Sequence, residues 1–352
     1  LTGGYGLTFI TVFAGSLLVV LLYYREKLKI KGTIFISTLI LSLFLFPVLY
    51  YNIIKDSYSI KKNILISAVH PGIKQKERWK SQFYETHFNI YKQQTRLTIQ
   101  KYGSRNHVVI WPETALTYPF NSKPLLKKKL LEYAKDNSLN LVFGAPQYKG
   151  IGVSRRYYNS AFFMLSGKMH AVKYNKKYLL PFAEKKVSIV GLQKSGNGGY
   201  YTAGDKLAVQ MINGVKSHVV ICYEIGVSHL IKKIKNKGVS LLINISNDAW
   251  FGDGSESAQQ LSLMSLRCME YGLTAVRSTG YGKAAIVNIN GKMLAKTGIN
   301  ERVILTKEMQ VKTRNTVFSR YGLWFILLSV LYLLFYFLFN SKMLKIMKKS
   351  HI

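Results

Sequence analysis

Three short segments place reactive side chains at the ends of apolar runs. In Val108-Val109-Ile110-Trp111-Pro112-Glu113-Thr114-Ala115 a β-type run closes on Trp-Pro and at once presents a carboxylate. Taken alone, Glu113 reads equally as a helix cap or as a general base. In Tyr174-Asn175-Lys176-Lys177-Tyr178-Leu179-Leu180-Pro181-Phe182-Ala183-Glu184 two lysines, an apolar strip and a glutamate share a segment with little period of its own. It reads as a solvated charge run or as the source of one positioned ammonium. In Val219-Val220-Ile221-Cys222-Tyr223-Glu224 a cysteine ends an apolar strand and polar residues follow. A free cysteine is ordinarily a small core residue, yet a strand-to-loop junction is also where hydrolases expose a nucleophile. The second cysteine, Cys268, falls inside the helical run 262–271 and is assigned to packing.

A thiol, a carboxylate and an ammonium brought together suit acyl transfer. A thioester keeps its carbonyl reactive toward an amine or water. The free thiol, with a pKa of about 8.5, needs a base or a nearby cation to become nucleophilic at neutral pH. Glu113 supplies the base in this reading, and Lys176 supplies charge for the thiolate and for the tetrahedral oxyanion. The chain's two cysteines exclude a disulfide scaffold and a multi-cysteine metal site. No phosphate-binding loop or dinucleotide fingerprint is present, so neither a metal nor a cofactor is expected.

Positioning these groups requires strands that end in one place. Residues 62–310 alternate short β-rich runs with helix-like stretches, an α/β pattern. The predicted strands are 63–69, 107–111, 139–143, 160–165, 218–222, 241–246 and 284–288, and the predicted helices 76–101, 124–137 and 258–271. The Gly-rich stretch 191–204 reads as a mobile loop beside the site. The sequence contains no internal repeat.

Three uncharged apolar runs, 7–23, 33–51 and 323–339, lie outside that region. At about 1.5 Å rise per residue each spans most of a ~30 Å hydrocarbon core, and Tyr23, Tyr24, Tyr50, Tyr51 and Trp324 mark the ends as interfacial aromatics do. The basic connection 25–31 and the lysine-rich tail 342–349 belong in the cytoplasm. This predicts two transmembrane helices in residues 1–51, a catalytic domain at 52–320 on the outer side, and a final transmembrane helix with a cytoplasmic tail in 321–352. Residue 1 is Leu and the chain is apolar from its start, without a basic n-region or cleavage site, so a missing N-terminal part is expected rather than a signal peptide. Lys plus Arg is 50 against 16 acidic residues, a net charge of +34. The basic residues are spread along the chain without a nucleic-acid-binding motif, so anionic phospholipid surfaces are expected as partners and nucleic acid is not.

In order and flanked as they are, the three segments resemble the carbon–nitrogen hydrolase (nitrilase) superfamily, and placement between membrane helices narrows the resemblance to the apolipoprotein N-acyltransferases. Further matches are 3–9 (GGYGLTF), 68–73 (AVHPGI) with Arg78-Trp79, Tyr158-Asn159-Ser160, 244–252 (NISNDAWFG) and Arg277-Ser278-Thr279. The resemblance implies a four-layer α-β-β-α sandwich flanked by transmembrane helices, with Cys222 as nucleophile, Glu113 as base and Lys176 as oxyanion partner. It also implies that Glu184, Tyr223 and Glu224 support the site and that Trp79 overhangs a lipid entrance. The implied activity takes an acyl chain from phospholipid onto Cys222 and passes it to the N-terminal amine of a diacylglyceryl-modified apolipoprotein in a bacterial inner membrane, with the catalytic domain periplasmic. The alternative is a membrane-tethered amidase using the same triad. Three departures stand out: Ala183 replaces a glycine, Gln259-Gln260 stand where a histidine is often found, and Gly280 replaces an asparagine.

Overall fold

The computed structural model describes all residues except 1, 25, 27–29, 74, 167, 169, 186–200, 253, 300 and 350–352, and leaves undescribed the side chains of 75, 76, 250, 251 and 339–349. Most of the predicted Gly-rich loop, 191–200, therefore lies outside the described residues. Two compact units emerge, Leu1–Tyr58 with Asn315–Ile352, and Ser59–Arg314.

The first unit holds α1 (Gly4–Tyr23) and α2 (Ile30–Ile54) from the start of the chain, together with two C-terminal helices named below. Both α1 and α2 are long and apolar enough to cross a membrane. No residue of α2 is buried, and Leu22, Phe35, Leu41 and Ile53 all stand exposed. A helix apolar on every side requires apolar surroundings.

The second unit runs β1 (Ser59–Pro71), α3 (Gln75–Arg78), α4 (Tyr84–Tyr102), β2 (His107–Ile110), α5 (Pro124–Asp136), β3 (Asn140–Lys149), β4 (Arg156–Met164) and β5 (Ala171–Asn175). It continues through β6 (Gln210–Ile212), β7 (Val215–Ile221), α6 (Ser228–Asn236), β8 (Leu241–Ser246), α7 (Glu256–Tyr271), β9 (Thr274–Thr279), β10 (Ala285–Val287), β11 (Met293–Lys296) and β12 (Arg302–Thr313). The chain then returns to the first unit as α8 (Val317–Tyr321) and α9 (Trp324–Lys349). Phe325 of α9 meets Phe9 of α1 edge-on at 5.2 Å.

Two six-stranded sheets form, in the orders β12-β1-β2-β3-β4-β5 and β11-β10-β9-β8-β7-β6. Within each, three parallel strands joined by helices are followed by antiparallel neighbours. The two halves thus share one topology, although the sequence shows no repeat. Alternation along the strands fixes the layers. Val108 and Ile110 of β2 pack with Val219 and Ile221 of β7 and Ile243 of β8 between the sheets. Val109 and the following Trp111 face the other way, onto Phe88 and Tyr91 of α4 and Leu130 of α5. Buried Leu261, Met264 and Cys268 line α7 on the opposite sheet. The α/β class predicted from the sequence is therefore present, with helices outside two packed sheets. Ser278 of β9 links the sheets, its hydroxyl lying 3.0 Å from the Val69 carbonyl and 3.1 Å from that of Ile110.

The predicted helix 76–101 is broken. It divides into α3, a 3₁₀ turn at Ser81–Phe83 and α4, with Lys80 extended between them. The cause is tertiary, because the Arg78 side chain is drawn into the molecule, as described next.

Candidate active site

Glu113, Lys176 and Cys222 each follow the carboxyl end of a strand, β2, β5 and β7 respectively. All three are buried. Cys222 opens the 3₁₀ turn Cys222–Gly226 with φ 51°, a left-handed conformation that a side-chain-bearing residue rarely adopts. Such strain persists only where the surroundings impose it.

Lys176 lies between two carboxylates. Its Nζ is 2.7 Å from Glu184 Oε2 and 3.8 Å from Glu113 Oε1. Asn159 Nδ2 donates to both glutamates, at 2.7 Å to Glu113 Oε1 and 2.8 Å to Glu184 Oε1. Among the described residues Glu113 Oε1 takes both contacts, so Oε2 remains available to accept a proton. Burial raises the Glu113 pKa above the ordinary carboxylate value, with Lys176 opposing and Glu184 reinforcing that rise. Burial works against the Lys176 charge, but Glu113, Cys222 and Glu184 outweigh it and hold its pKa above that of an ordinary lysine. The Cys222 thiol is pushed up to about 11, by burial first and by Glu113 next, while Lys176 pulls it down. The Cys222 thiol thus lies within electrostatic reach of both Glu113 and Lys176. A thiol, a carboxyl group and an amine placed together in this way can couple proton transfer to nucleophilic attack.

Glu224 fastens the lysine loop to the cysteine turn. Its Oε1 accepts from Tyr174 Oη at 2.7 Å and from the backbone N–H groups of Lys177 and Tyr178 at 2.7 and 3.0 Å. Its Oε2 accepts from the Ile221 N–H at 2.9 Å. Glu224→Gln turns an amide donor toward these donors. The expected result is a loss of about 1–3 kcal/mol of stability, read as a lower urea midpoint, together with slower alkylation of Cys222.

The remaining predicted residues divide. Glu184 pairs directly with Lys176, whereas Trp79 and Tyr223 stay exposed at 41% and 43%. Ala183 does not adopt a positive φ; its neighbour Phe182 does, at 65°, so the glycine replacement creates no backbone strain there. Arg78, whose sequence signal is the Arg78-Trp79 match alone, donates from Nη2 to the Glu113 carbonyl at 2.5 Å, the Thr114 carbonyl at 2.9 Å and Thr114 Oγ1 at 3.1 Å. The guanidinium packs against Gly280, where an added Cβ would lie 2.4 Å from Nη1. Gly280→Ala is therefore expected to displace Arg78 and loosen the Glu113 turn, costing about 1–3 kcal/mol as overpacking does. Thermal melts should show the loss, and a shorter lysine at position 78 should restore part of it. Asn159 and Arg78 could not be assigned roles from sequence because their partners lie in turns distant along the chain, at Glu113-Thr114 and Glu184. The Tyr-Asn-Ser match and the Arg-Trp pair were the only signals.

Comparison with known proteins follows this geometry. The carbon-nitrogen hydrolase family matches residues 73–317. The apolipoprotein N-acyltransferase of Geobacter metallireducens is 24% identical over 339 residues, covering 92% of this chain and 62% of that protein. The enzyme of the same name from Rickettsia prowazekii is 26% identical over 342 residues, covering 95% and 66%. For that of Sinorhizobium medicae the values are 27% over 263 residues, 70% and 48%. This chain thus spans about half to two thirds of the length of these curated relatives. Among solved structures, a carbon-nitrogen hydrolase from Helicobacter pylori superposes with a TM-score of 0.55 at 14% identity, covering 71% of this chain and 90% of the other. An amidase from Nesterenkonia sp. gives 0.54 at 14%, covering 73% and 94%. These likenesses establish the nitrilase-like fold.

Proposed function

This chain belongs to the carbon–nitrogen hydrolase family, and from that premise we propose that it is a membrane-anchored N-acyltransferase in which Cys222 carries the acyl group, Glu113 moves the proton and Lys176 stabilises the oxyanion. The observation that carries the reading is the convergence of Glu113, Lys176 and Glu184 beside a cysteine held in a left-handed turn. The relatives named apolipoprotein N-acyltransferase align over up to 95% of the chain, a span that takes in its apolar helices.

In the first half-reaction the sulfur attacks an ester carbonyl of a phospholipid as Glu113 takes the thiol proton. Lys176 holds the charge that develops on oxygen. Collapse breaks the C–O bond, the leaving glycerol oxygen takes the proton from Glu113, and lysophospholipid departs. In the second, the α-amine of a diacylglyceryl-modified cysteine attacks the thioester. Its pKa of about 7.7–8 leaves a usable neutral fraction. Glu113 accepts the amine proton and returns it to the departing sulfur, so the acyl chain becomes an amide and the thiol is restored. Glu224 positions the lysine loop in this scheme, and Trp79 and Tyr223 present exposed aromatic faces to lipid.

Helices α1 and α2, with α9, serve as bilayer spans in this reading. Both substrates stay in the bilayer, which gives the anchors a physical purpose. The basic connection and tail place the catalytic unit, residues 52–320 by the sequence division, on the periplasmic side of a bacterial inner membrane. A membrane-tethered amidase would share the thioester and differ in its acceptor, water in place of an amine, and its substrate would have no need to stay in the bilayer. The test is to incubate membranes with labelled phospholipid and look for a hydroxylamine-sensitive adduct on Cys222. An adduct that a diacylglyceryl-cysteine peptide discharges as amide is expected. Absence of lipid label on a Cys222 that still reacts with small amides would replace this reading by the amidase.

A further inference from the structure

A second polar chain, distinct from the lysine loop, reaches Cys222. It begins at Gln260 of α7, whose Nε2 stands 4.0 Å from Sγ. The other end of that amide, Oε1, accepts from Arg277 Nη1 at 2.9 Å. Arginine only donates, so the atom facing it must be the oxygen and the NH₂ group must face the sulfur. The two N–H bonds of Nε2 then have two acceptors, Sγ and Glu256 Oε1, the latter at 3.1 Å.

Arg277 of β9 is itself fully buried and fixed on two sides. Its Nη2 meets Asp248 Oδ1 and Oδ2 at 2.6 and 2.8 Å, and its Nη1 also bonds Asn244 Oδ1. Asn244 Nδ2 lies 3.2 Å from the Val220 carbonyl and 3.4 Å from the Cys222 carbonyl. Ser246 Oγ, next along the same strand end, donates to Asp248 Oδ1 at 2.7 Å. One buried guanidinium thus fixes both the amide that faces the sulfur and the strand end that carries it.

We propose that Gln260 is a catalytic residue, a neutral hydrogen-bond donor that stabilises the Cys222 thiolate alongside Lys176, and that Arg277 with Asp248 is the positioning pair that orients it. The inference rests on Cys222 being the nucleophile but not on the identity of acyl donor or acceptor. A neutral donor suits this position. The groups already biasing the sulfur are Glu113, Lys176, the hydroxyl of Ser246 and Asp248, and a second cation there would compete with Lys176 for the carboxylates.

The experiment measures the rate of Cys222 alkylation by iodoacetamide against pH in the full chain, read by mass spectrometry. The reference is the wild type and the variants are Gln260→Glu and Gln260→Met. Gln260→Glu keeps the acceptor for Arg277 and the side-chain shape but turns an oxygen toward the sulfur. Its profile is expected to move up by about one pH unit, a tenfold slower reaction on the rising limb. Gln260→Met removes the donor without adding charge and should move the profile the same way by less. A packing role for Gln260 predicts that Gln260→Met titrates as wild type does, and that result overturns the inference while leaving Cys222 as nucleophile. A wild-type Cys222 that alkylates no faster than the buried Cys268 overturns the functional reading as well.

Discussion

Lys176→Ala is expected to reduce acyl-enzyme formation by at least two orders of magnitude and to lower stability at the same time. The residue is 2% exposed and its ammonium is the cation shared by Glu113 and Glu184. Removing one partner of a buried ion pair leaves uncompensated charge and costs about 3–5 kcal/mol. Losing an oxyanion donor raises the barrier by about 2.7–4 kcal/mol in other enzymes. The two effects separate by pH. Lys176 is the chief influence holding Glu113 down against burial, so without it the carboxyl stays protonated to higher pH. The acid limb of the labelling rate should therefore move upward. The sign for stability follows from the raised Lys176 pKa. That contribution is complete below the ordinary lysine value of about 10.4 and is lost as pH climbs past the folded-state value. The variant's deficit should accordingly be full at neutral pH and shrink only in strong alkali. Lys176→Met keeps much of the packing, so a similar loss of labelling in a better-folded protein would assign the effect to charge. Labelling within tenfold of wild type in either variant would remove Lys176 from the mechanism.

Glu113 and Cys222 were legible because each follows an apolar run, and a strand that ends in Trp-Pro-Glu or Ile-Cys-Tyr-Glu shows its end in sequence, whereas Lys176 follows the mixed strand AVKYN and was legible only through the family resemblance. The strands 107–111 and 241–246 lie within a residue of β2 and β8 for the same reason, and 218–222 ends within a residue of β7 but starts three residues late. Strand β12 was not seen. Arg302–Thr313 carries Lys307, Glu308 and Lys312 on an edge strand whose faces are mostly exposed or half-buried, so no hydrophobic alternation marks it. Strand β9 was quoted only for its Arg-Ser-Thr end. Its burial on both faces turns an expected alternation into a mixed run of TAVRST. The polar chain from Asp248 through Arg277 to Gln260 was invisible for a different cause. A buried arginine looks like a surface arginine until its partners are known, and these come from β8, the 3₁₀ turn at Asp248–Phe251 and α7. Likewise the helix predicted across 76–101 follows its local preference and breaks only because Arg78 turns inward to the Glu113 carbonyl. Periodicity reports what a segment prefers alone, and at this site tertiary hydrogen bonds outweigh it.

Cys222→Ala and Cys222→Gly should both abolish the lipid adduct completely, and the glycine variant should be the more stable of the two. Ordinarily glycine is less stable than alanine by about 0.5–1 kcal/mol, because it loses more backbone freedom on folding. At φ 51° the balance reverses. A Cβ in the left-handed region costs about 1–2 kcal/mol, a penalty alanine keeps and glycine escapes. Neither variant retains the sulfur, so differences in side-chain packing between them amount to one methyl group. Thermal unfolding of the two variants side by side reads the difference directly. If alanine melts higher, the turn is not strained and its geometry gives no support to a nucleophile. If glycine melts higher while labelling is lost in both, the protein holds its cysteine in a conformation that lowers its own stability. Packing alone gives no reason to retain a side chain at such a position, whereas presenting a sulfur to a substrate carbonyl does.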